Sequence, residues 1–158
     1  MKQFKYPKWT QALSVGNDRI DGEHREFLET VALVSNLVQG GTPYEIRAAT
    51  GAMVTLLEEH FENEERLFFA TAYPLAAAHA VEHRVLLYMA STAKKAIDSA
   101  SEPVYLRLSL GYIAQLVVEH LLQSDMGYRE YLLNDQNPDA KDASSSSEGA
   151  KKAAPVTG

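Results

Sequence analysis

Two pairs of polar side chains at helical spacing place the strongest constraint on how this chain can fold. His60 and Glu64 are four residues apart, and so are His79 and His83. Residues four apart on an α-helix project from the same face. A Tyr-Pro dipeptide at 73–74 separates the pairs, and proline interrupts a helix. This stretch therefore predicts two helices that each direct a pair of potential metal ligands toward the space between them.

Apolar residues recur at three- and four-residue steps in four segments, which is the pattern of amphipathic helices. Asn17-Asp18 can cap the first segment, and Gly40-Gly41 ends it. The run Thr42-Pro43-Tyr44-Glu45 is a capping box that starts the second. Pro74 is expected to open the third helix and Pro103 the fourth. The pattern predicts an all-α, up-down-up-down antiparallel four-helix bundle.

The chain divides into three predicted parts within a length of 158 residues, which fits one domain. Residues 1–17 lack sustained periodicity and are expected to form an arm across the bundle, with Trp9 packed as its anchor. Residues 18–135 hold the four helices. Residues 136–158 contain a four-serine run and few large apolar side chains, which predicts a flexible, disordered tail.

The composition excludes several classes of function. A net charge of −6 argues against nucleic acid or an anionic membrane surface as the main partner, since both require a basic face. No apolar run reaches the roughly 18 residues of a membrane span, and no signal peptide is visible, so we expect a cytoplasmic protein. The absence of cysteine excludes disulfides and iron–sulfur clusters. Nitrogen and oxygen atoms must therefore hold any metal.

All five histidines of the chain fall on the apolar stripes of the predicted helices, and two carboxylates lie about one turn from His60 and His120. The seven polar groups are His24, His60, Glu64, His79, His83, His120 and Asp125. Burying an unpaired carboxylate costs several kcal/mol, while a whole domain is stable by only about 5–15 kcal/mol. Seven inward polar groups thus favour a bound cation over a purely structural role. They exceed the four ligands of a tetrahedral zinc site and fit two octahedral ions that share carboxylates.

Two other metal motifs fit the sequence less well. His79 to His83 matches the H-x-x-E-H pattern of inverzincin proteases, but this leaves three histidines unexplained, and we expect Glu82 to face solvent. Ferritin-like di-iron enzymes use Glu-x-x-His motifs. The residues three before each histidine are instead Asp21, Leu57, Ala76, Ala80 and Val117. The sequence therefore disfavours both types of enzyme.

The ordered set of motifs resembles the hemerythrins, specifically the single-domain bacterial ones, over residues 9–133. The motifs are Asp21-x-x-His24, His60-Phe61-x-x-Glu64-Glu65, Tyr73-Pro74, His79-x-x-x-His83 and His120-x-x-x-x-Asp125. Each motif is weak by itself, but their order and spacing are specific. All seven positions that carry ligands in that family are filled.

The resemblance implies a non-heme di-iron centre with two Fe ions and an oxo or hydroxo bridge. One iron would be held by His79, His83 and His120, and the other by His24 and His60. Glu64 and Asp125 would bind both irons. One coordination position would remain open for dioxygen. The implied function is reversible dioxygen binding for transport, storage or supply, without enzymatic activity.

Two alternatives of other classes remain open at this point. One is an oxygen or redox sensor that acts through a protein partner, which the sequence does not identify. The other is a di-iron oxidase or peroxidase. Apolar side chains near the ligands are expected to form a dry pocket that favours binding over oxidation, namely Leu28, Leu57, Phe61, Leu116 and Val117.

The spacing between His120 and Asp125 makes a local prediction. Five residues of a regular α-helix turn through about 500°, which leaves the two side chains some 140° apart. Both can reach one centre only if the helix widens or bends between them. We therefore predict a π-bulge or another distortion around residues 120–126.

Overall fold

A computed structural model describes residues 6–135, and the predicted four-helix bundle is confirmed. Four long helices are followed by a short one in the same direction: α1 (Asp18–Gly40), α2 (Pro43–Thr71), α3 (Ala76–Ser99), α4 (Pro103–His120) and α5 (Met126–Asp135). A π-helical segment (Leu121–Asp125) joins α4 to α5, and a 3-10 turn (Gln11–Leu13) precedes α1. Each long helix packs against the next, and α4 closes the bundle against α1.

The first two helices begin where their capping residues predict, and α1 ends at the predicted Gly40-Gly41. The side chain of Asn17 accepts hydrogen bonds from the first backbone N–H groups of α1. Thr42 and Glu45 form the reciprocal capping box of α2. A Cβ atom at Gly41 would lie 2.8 Å from the carbonyl oxygen of Leu37, so only glycine allows this close approach at the end of α1.

The third helix begins at Ala76 rather than at Pro74, so the predicted start was wrong by two residues. Ala72 ends α2 in the left-handed conformation, with φ of 52°, and the N–H of Tyr73 bonds back to the carbonyl of Phe68. A turn then carries the chain through Pro74 before helical hydrogen bonding resumes. The structure of this α2–α3 connection, and not the proline by itself, sets the helix start.

Two hydrophobic cores stabilise the bundle, and the predicted ligands lie between them. The main core contains buried side chains of all four long helices. A smaller core contains Val15, Ile20, Phe68, Tyr128 and Leu132, which joins the N-terminal arm and α5 to the bundle. No helix within residues 6–135 has the length and apolar character needed to cross a membrane.

The N-terminal arm is held by contacts with α1. Trp9 packs against the main core, as predicted, and the guanidinium of Arg25 lies 4.0 Å from its ring centroid. The Ser14 hydroxyl and the Val15 N–H donate to the buried carboxylate of Asp21 at 2.5 Å and 2.8 Å. The predicted part boundaries stay predictions, and the proposed tail at 136–158 lies outside the described residues.

Candidate metal centre

All seven residues singled out from the sequence come together in one buried cluster at the end of the bundle that holds the α2–α3 turn. Each is at most 6% exposed. Helix α1 supplies one ligand, α2 two, α3 two and α4 one, and the π-helical segment supplies the last: His24, His60, Glu64, His79, His83, His120 and Asp125. That they bind a metal stays a prediction, but their grouping fits a metal site.

The seven side chains form two overlapping groups with both carboxylates in common. In each group the candidate ligand atoms lie within 4.8 Å of one another. One group adds His79, His83 and His120 to the two carboxylates. The other group adds His24 and His60. We call these the three-histidine group and the two-histidine group.

The two oxygens of Asp125 divide between the groups. Oδ1 lies 2.9 Å from Nε2 of His120 and 3.3 Å from Nε2 of His79. Oδ2 lies 3.3 Å from Nε2 of His24 and 3.7 Å from Nε2 of His60. This carboxylate therefore presents one oxygen to each histidine group.

Glu64 divides its oxygens in the same way. Oε2 lies 3.0 Å from Nε2 of His83 and 3.3 Å from Nε2 of His79, whereas Oε1 lies 3.9 Å from Nε2 of His60. Two carboxylates that each direct one oxygen to either side form the arrangement needed to bridge a pair of cations.

The π-helical segment Leu121–Asp125 brings Asp125 into the cluster, as predicted from its spacing to His120. A π-helix adds one residue per turn, so five residues complete about one turn and return to the starting face. His120 and Asp125 are both buried and in contact, whereas a regular α-helix would separate them. The distortion is thus part of the candidate site.

The unsatisfied polar atoms of the cluster fit a cation. Buried atoms without a hydrogen-bond partner among the described residues include Nε2 of four histidines, those of His24, His60, His79 and His120, and both oxygens of Asp125. His120 and Asp125 are close but not aligned for a hydrogen bond. They instead belong to a group whose candidate ligand atoms all lie within 4.8 Å of one another, a spacing that fits a shared cation. Nitrogen and carboxylate donors suit iron, among other transition metals.

Two further carboxylates orient the imidazoles, a role that was not identified from the sequence. Nδ1 of His60 lies 2.9 Å from Glu23 of α1, which also accepts from the side chain of Asn63 at 2.7 Å. Nδ1 of His83 lies 2.9 Å from Glu65. Each pair leaves Nε2 directed into the cluster, and a carboxylate partner also makes an imidazole a stronger ligand.

Removing the carboxylate that holds His60 or His83 in position is expected to weaken metal binding. Glu23→Gln or Glu65→Gln should lower the affinity by about 10–100-fold, because the imidazole loses its fixed orientation and part of its basicity. Titration of the metal-free protein with Co²⁺ measures this change. Glu26→Gln, at an exposed position of α1, is the matched control. Affinities that equal that of the control would show that the carboxylates do not support the site.

Tyr128 completes the surroundings of the cluster and was also missed. Its hydroxyl donates a hydrogen bond to Oε1 of Glu64, and its ring contacts Phe68 and His79. It follows Asp125 by three residues, and a search of that helical face could have found it. Burial and the charge of Glu64 raise the pKa of Tyr128 well above its usual value, so the hydroxyl stays protonated.

The cluster has strongly shifted pKa values when no cation is bound. Burial opposes charge on His60, but the carboxylates of Asp125, Glu23 and Glu64 outweigh it and raise its pKa to about 10. The same balance raises the pKa of His79 to about 9. Burial also opposes ionisation of Glu64, but the histidines lower its pKa to about 2. A cation must therefore displace protons, so metal binding should strengthen as pH rises.

The metal-free protein is expected to be most stable between about pH 4.5 and 6.5. Stabilisation from the raised histidine pKa values is complete below their ordinary value of 6.5 and is lost as pH rises through about 9–10. Stabilisation from Glu64 is complete above 4.5 and is lost as pH falls through about 2. The free energy of unfolding in urea, measured from about pH 2 to about pH 10, tests the expectation. A stability that rises steadily from about pH 6 to 9 would contradict it.

Apolar and aromatic side chains enclose the cluster. The ring of Phe61 stacks on His83 with centroids 3.9 Å apart and also contacts His120 at 5.2 Å. Four of the five predicted pocket residues are buried in the main core, namely Leu28, Leu57, Phe61 and Val117. Leu116, the fifth, is only partly buried and lies outside that core, because it projects between the inner and outer faces of α4. Glu82 is exposed and lies outside both ligand groups, as expected.

Comparison with known proteins agrees with this geometry. The Hemerythrin HHE cation binding domain matches residues 15–132. The chain belongs to the hemerythrin family. Membership of this family implies an iron-containing domain of the oxygen-binding type.

Two relatives of this hemerythrin-family chain are both named bacteriohemerythrin. It is 25% identical over 136 residues to the bacteriohemerythrin of Pseudomonas paraeruginosa, a match that covers 86% of this chain and 88% of the relative. It is 32% identical over 83 residues to the bacteriohemerythrin of Stenotrophomonas maltophilia, which covers 50% of this chain and 52% of the relative.

Proposed function

We propose that this protein binds dioxygen reversibly at a di-iron centre and serves in oxygen transport, storage or supply. The observation that carries the proposal is the division of the carboxylate oxygens. Glu64 and Asp125 each present one oxygen to the two-histidine group and the other to the three-histidine group. This arrangement supports a pair of cations rather than one.

The two groups offer unequal numbers of ligands. The three-histidine group supplies three nitrogens and two oxygens, and the two-histidine group supplies two of each. A pair of irons, when bound, supplies the two electrons that reversible dioxygen binding requires. The shorter ligand set leaves more room at the two-histidine group, where we place dioxygen binding.

The surroundings favour binding over enzymatic turnover, and we propose that the protein is not an enzyme. The cluster contains five histidines but only two carboxylates, which is less anionic than the Glu-x-x-His sites of di-iron oxidases. Buried apolar side chains such as Phe61 and Val117 limit the entry of water and protons. The name bacteriohemerythrin of the two relatives supports the same class of function.

Metal content and an optical spectrum test the proposal directly. The protein is loaded with Fe²⁺ without oxygen, and its spectrum is recorded before air is admitted, in air and after oxygen is removed. We expect two irons per chain and a charge-transfer band that appears with oxygen and fades without it. Irreversible oxidation of the iron would favour a sensor or an oxidase. A chain that holds zinc alone and stays colourless would refute the di-iron function.

A polar substitution beside the cluster is expected to speed autoxidation. Val117 is buried on α4, one turn before His120. Val117→Ser should shorten the lifetime of the oxygenated protein in air by about 10-fold or more, because a hydroxyl admits water to the site. The decay of the charge-transfer band gives the rate. Val104→Ser, at an exposed position of the same helix, is the control, and equal rates for both variants would remove the role of the dry pocket.

A further inference from the structure

The hydrogen bond from Tyr128 makes the two oxygens of Glu64 chemically unequal. Oε2 faces His79 and His83 of the three-histidine group, and Oε1 faces His60 of the two-histidine group. The hydroxyl of Tyr128 donates to Oε1. The donor therefore acts on the side of the cluster that has fewer protein ligands.

Asp125, the other shared carboxylate, has no such donor. Neither of its buried oxygens has a hydrogen-bond partner among the described residues. Both can direct their lone pairs into the cluster. The two sides of the centre therefore differ in two ways. One side has one histidine fewer, and on that same side Tyr128 donates a hydrogen bond to the shared carboxylate of Glu64.

The position of Tyr128 is fixed by packing. Its side chain is fully buried in the smaller core, with the ring of Phe68 at 4.8 Å and the ring of Tyr73 at 6.0 Å. Val15 of the arm and Leu132 of α5 belong to the same core. The hydroxyl cannot turn away from Glu64 without disturbing these contacts, so we expect the hydrogen bond to remain when a cation binds.

We propose that Tyr128 lowers the affinity of the two-histidine group for its cation, so that the two metal positions fill in order. A hydrogen bond to a carboxylate oxygen stabilises its negative charge and withdraws electron density from the lone pair offered to a metal. The three-histidine group keeps the undisturbed Oε2 and binds first. Tyr128 is a positioning residue that acts through Glu64, and this inference rests on the proposed two-metal function.

Titration of the metal-free protein with Co²⁺ tests the inference, with the visible absorption of the bound ion as the readout. The wild-type protein should bind two ions in successive steps. Tyr128→Phe should raise the affinity of the second step about 10-fold and leave the first within about twofold, because only Oε1 is released from its donor. A purely structural role would lower both affinities together, so the sign of the change separates the two explanations.

Tyr131→Phe is the matched control. Tyr131 lies on the same helix and is partly buried, but its hydroxyl donates to the backbone carbonyls of Thr71 and Ala72 and not to a ligand. Both affinities should equal those of the wild-type protein. A second-step affinity of Tyr128→Phe that is unchanged, or lowered together with the first, overturns the role of Tyr128. A wild-type protein that binds only one ion overturns the two-metal function itself.

A second measurement keeps the inference testable if Tyr128→Phe does not fold. Incorporating 3-fluorotyrosine at position 128 retains the hydroxyl and reports on its environment through the ¹⁹F resonance. We expect this resonance to shift with the second equivalent of Zn²⁺ and much less with the first. A resonance that responds fully to the first equivalent would refute the assignment of Tyr128 to the weaker position.

Discussion

Replacing Asp125 with asparagine is expected to remove about half or more of the metal from the protein, because it removes one of the two carboxylates that both histidine groups share. The aspartate presents one oxygen to each histidine group, at 2.9 Å from His120 and 3.3 Å from His24. An amide keeps the volume of the side chain but offers only one ligating oxygen and no charge. The shared ligand is therefore lost, and metal affinity falls because the charge of the site becomes less negative.

Metal-to-protein ratios of Asp125→Asn after loading with Fe²⁺ and desalting measure this effect. Glu119→Gln is the control, since it removes one negative charge at an exposed position of α4 close to the site. Far-UV circular dichroism establishes that both variants remain helical. Full occupancy of both positions in Asp125→Asn would show that this carboxylate does not bridge.

Replacing Phe61 with alanine is expected to destabilise the protein by about 3–5 kcal/mol, the usual cost of removing a buried aromatic ring. The ring is 2% exposed and stacks on His83, and its edge contacts His120. Its removal opens a cavity between the main core and the cluster. Both imidazoles lose a surface that fixes their orientation, so metal binding should weaken as well.

Phe69→Ala provides a matched comparison on the same helix. Phe69 lies eight residues after Phe61, but it is 90% exposed. We expect a change within about 0.5 kcal/mol, as is usual for surface substitutions. Urea unfolding of the metal-free variants measures both free energies. A loss below about 1 kcal/mol for Phe61→Ala would mean that the core collapses around the missing ring.

The sequence alone was sufficient for the helices and the candidate ligands, because both depend on local spacing. Apolar residues at helical steps identify the faces that must be buried, and any polar residue on such a face needs a partner. The caps at Asn17 and Thr42 fix the first two helix starts through hydrogen bonds within four residues. Even the π-helical distortion followed from the spacing of His120 and Asp125, since only a widened turn brings both to one face.

Contacts between helices were decided only by the tertiary structure. Glu23 on α1 meets His60 on α2, and Tyr128 meets Glu64 across 64 residues of chain. No periodicity within one helix encodes such pairs, because they depend on the rotation and offset of helices that pack against each other. The start of α3 at Ala76 likewise depends on the left-handed turn at Ala72. Local spacing therefore determined which residues face inward, whereas helix packing decided which carboxylate oxygen faces which histidine.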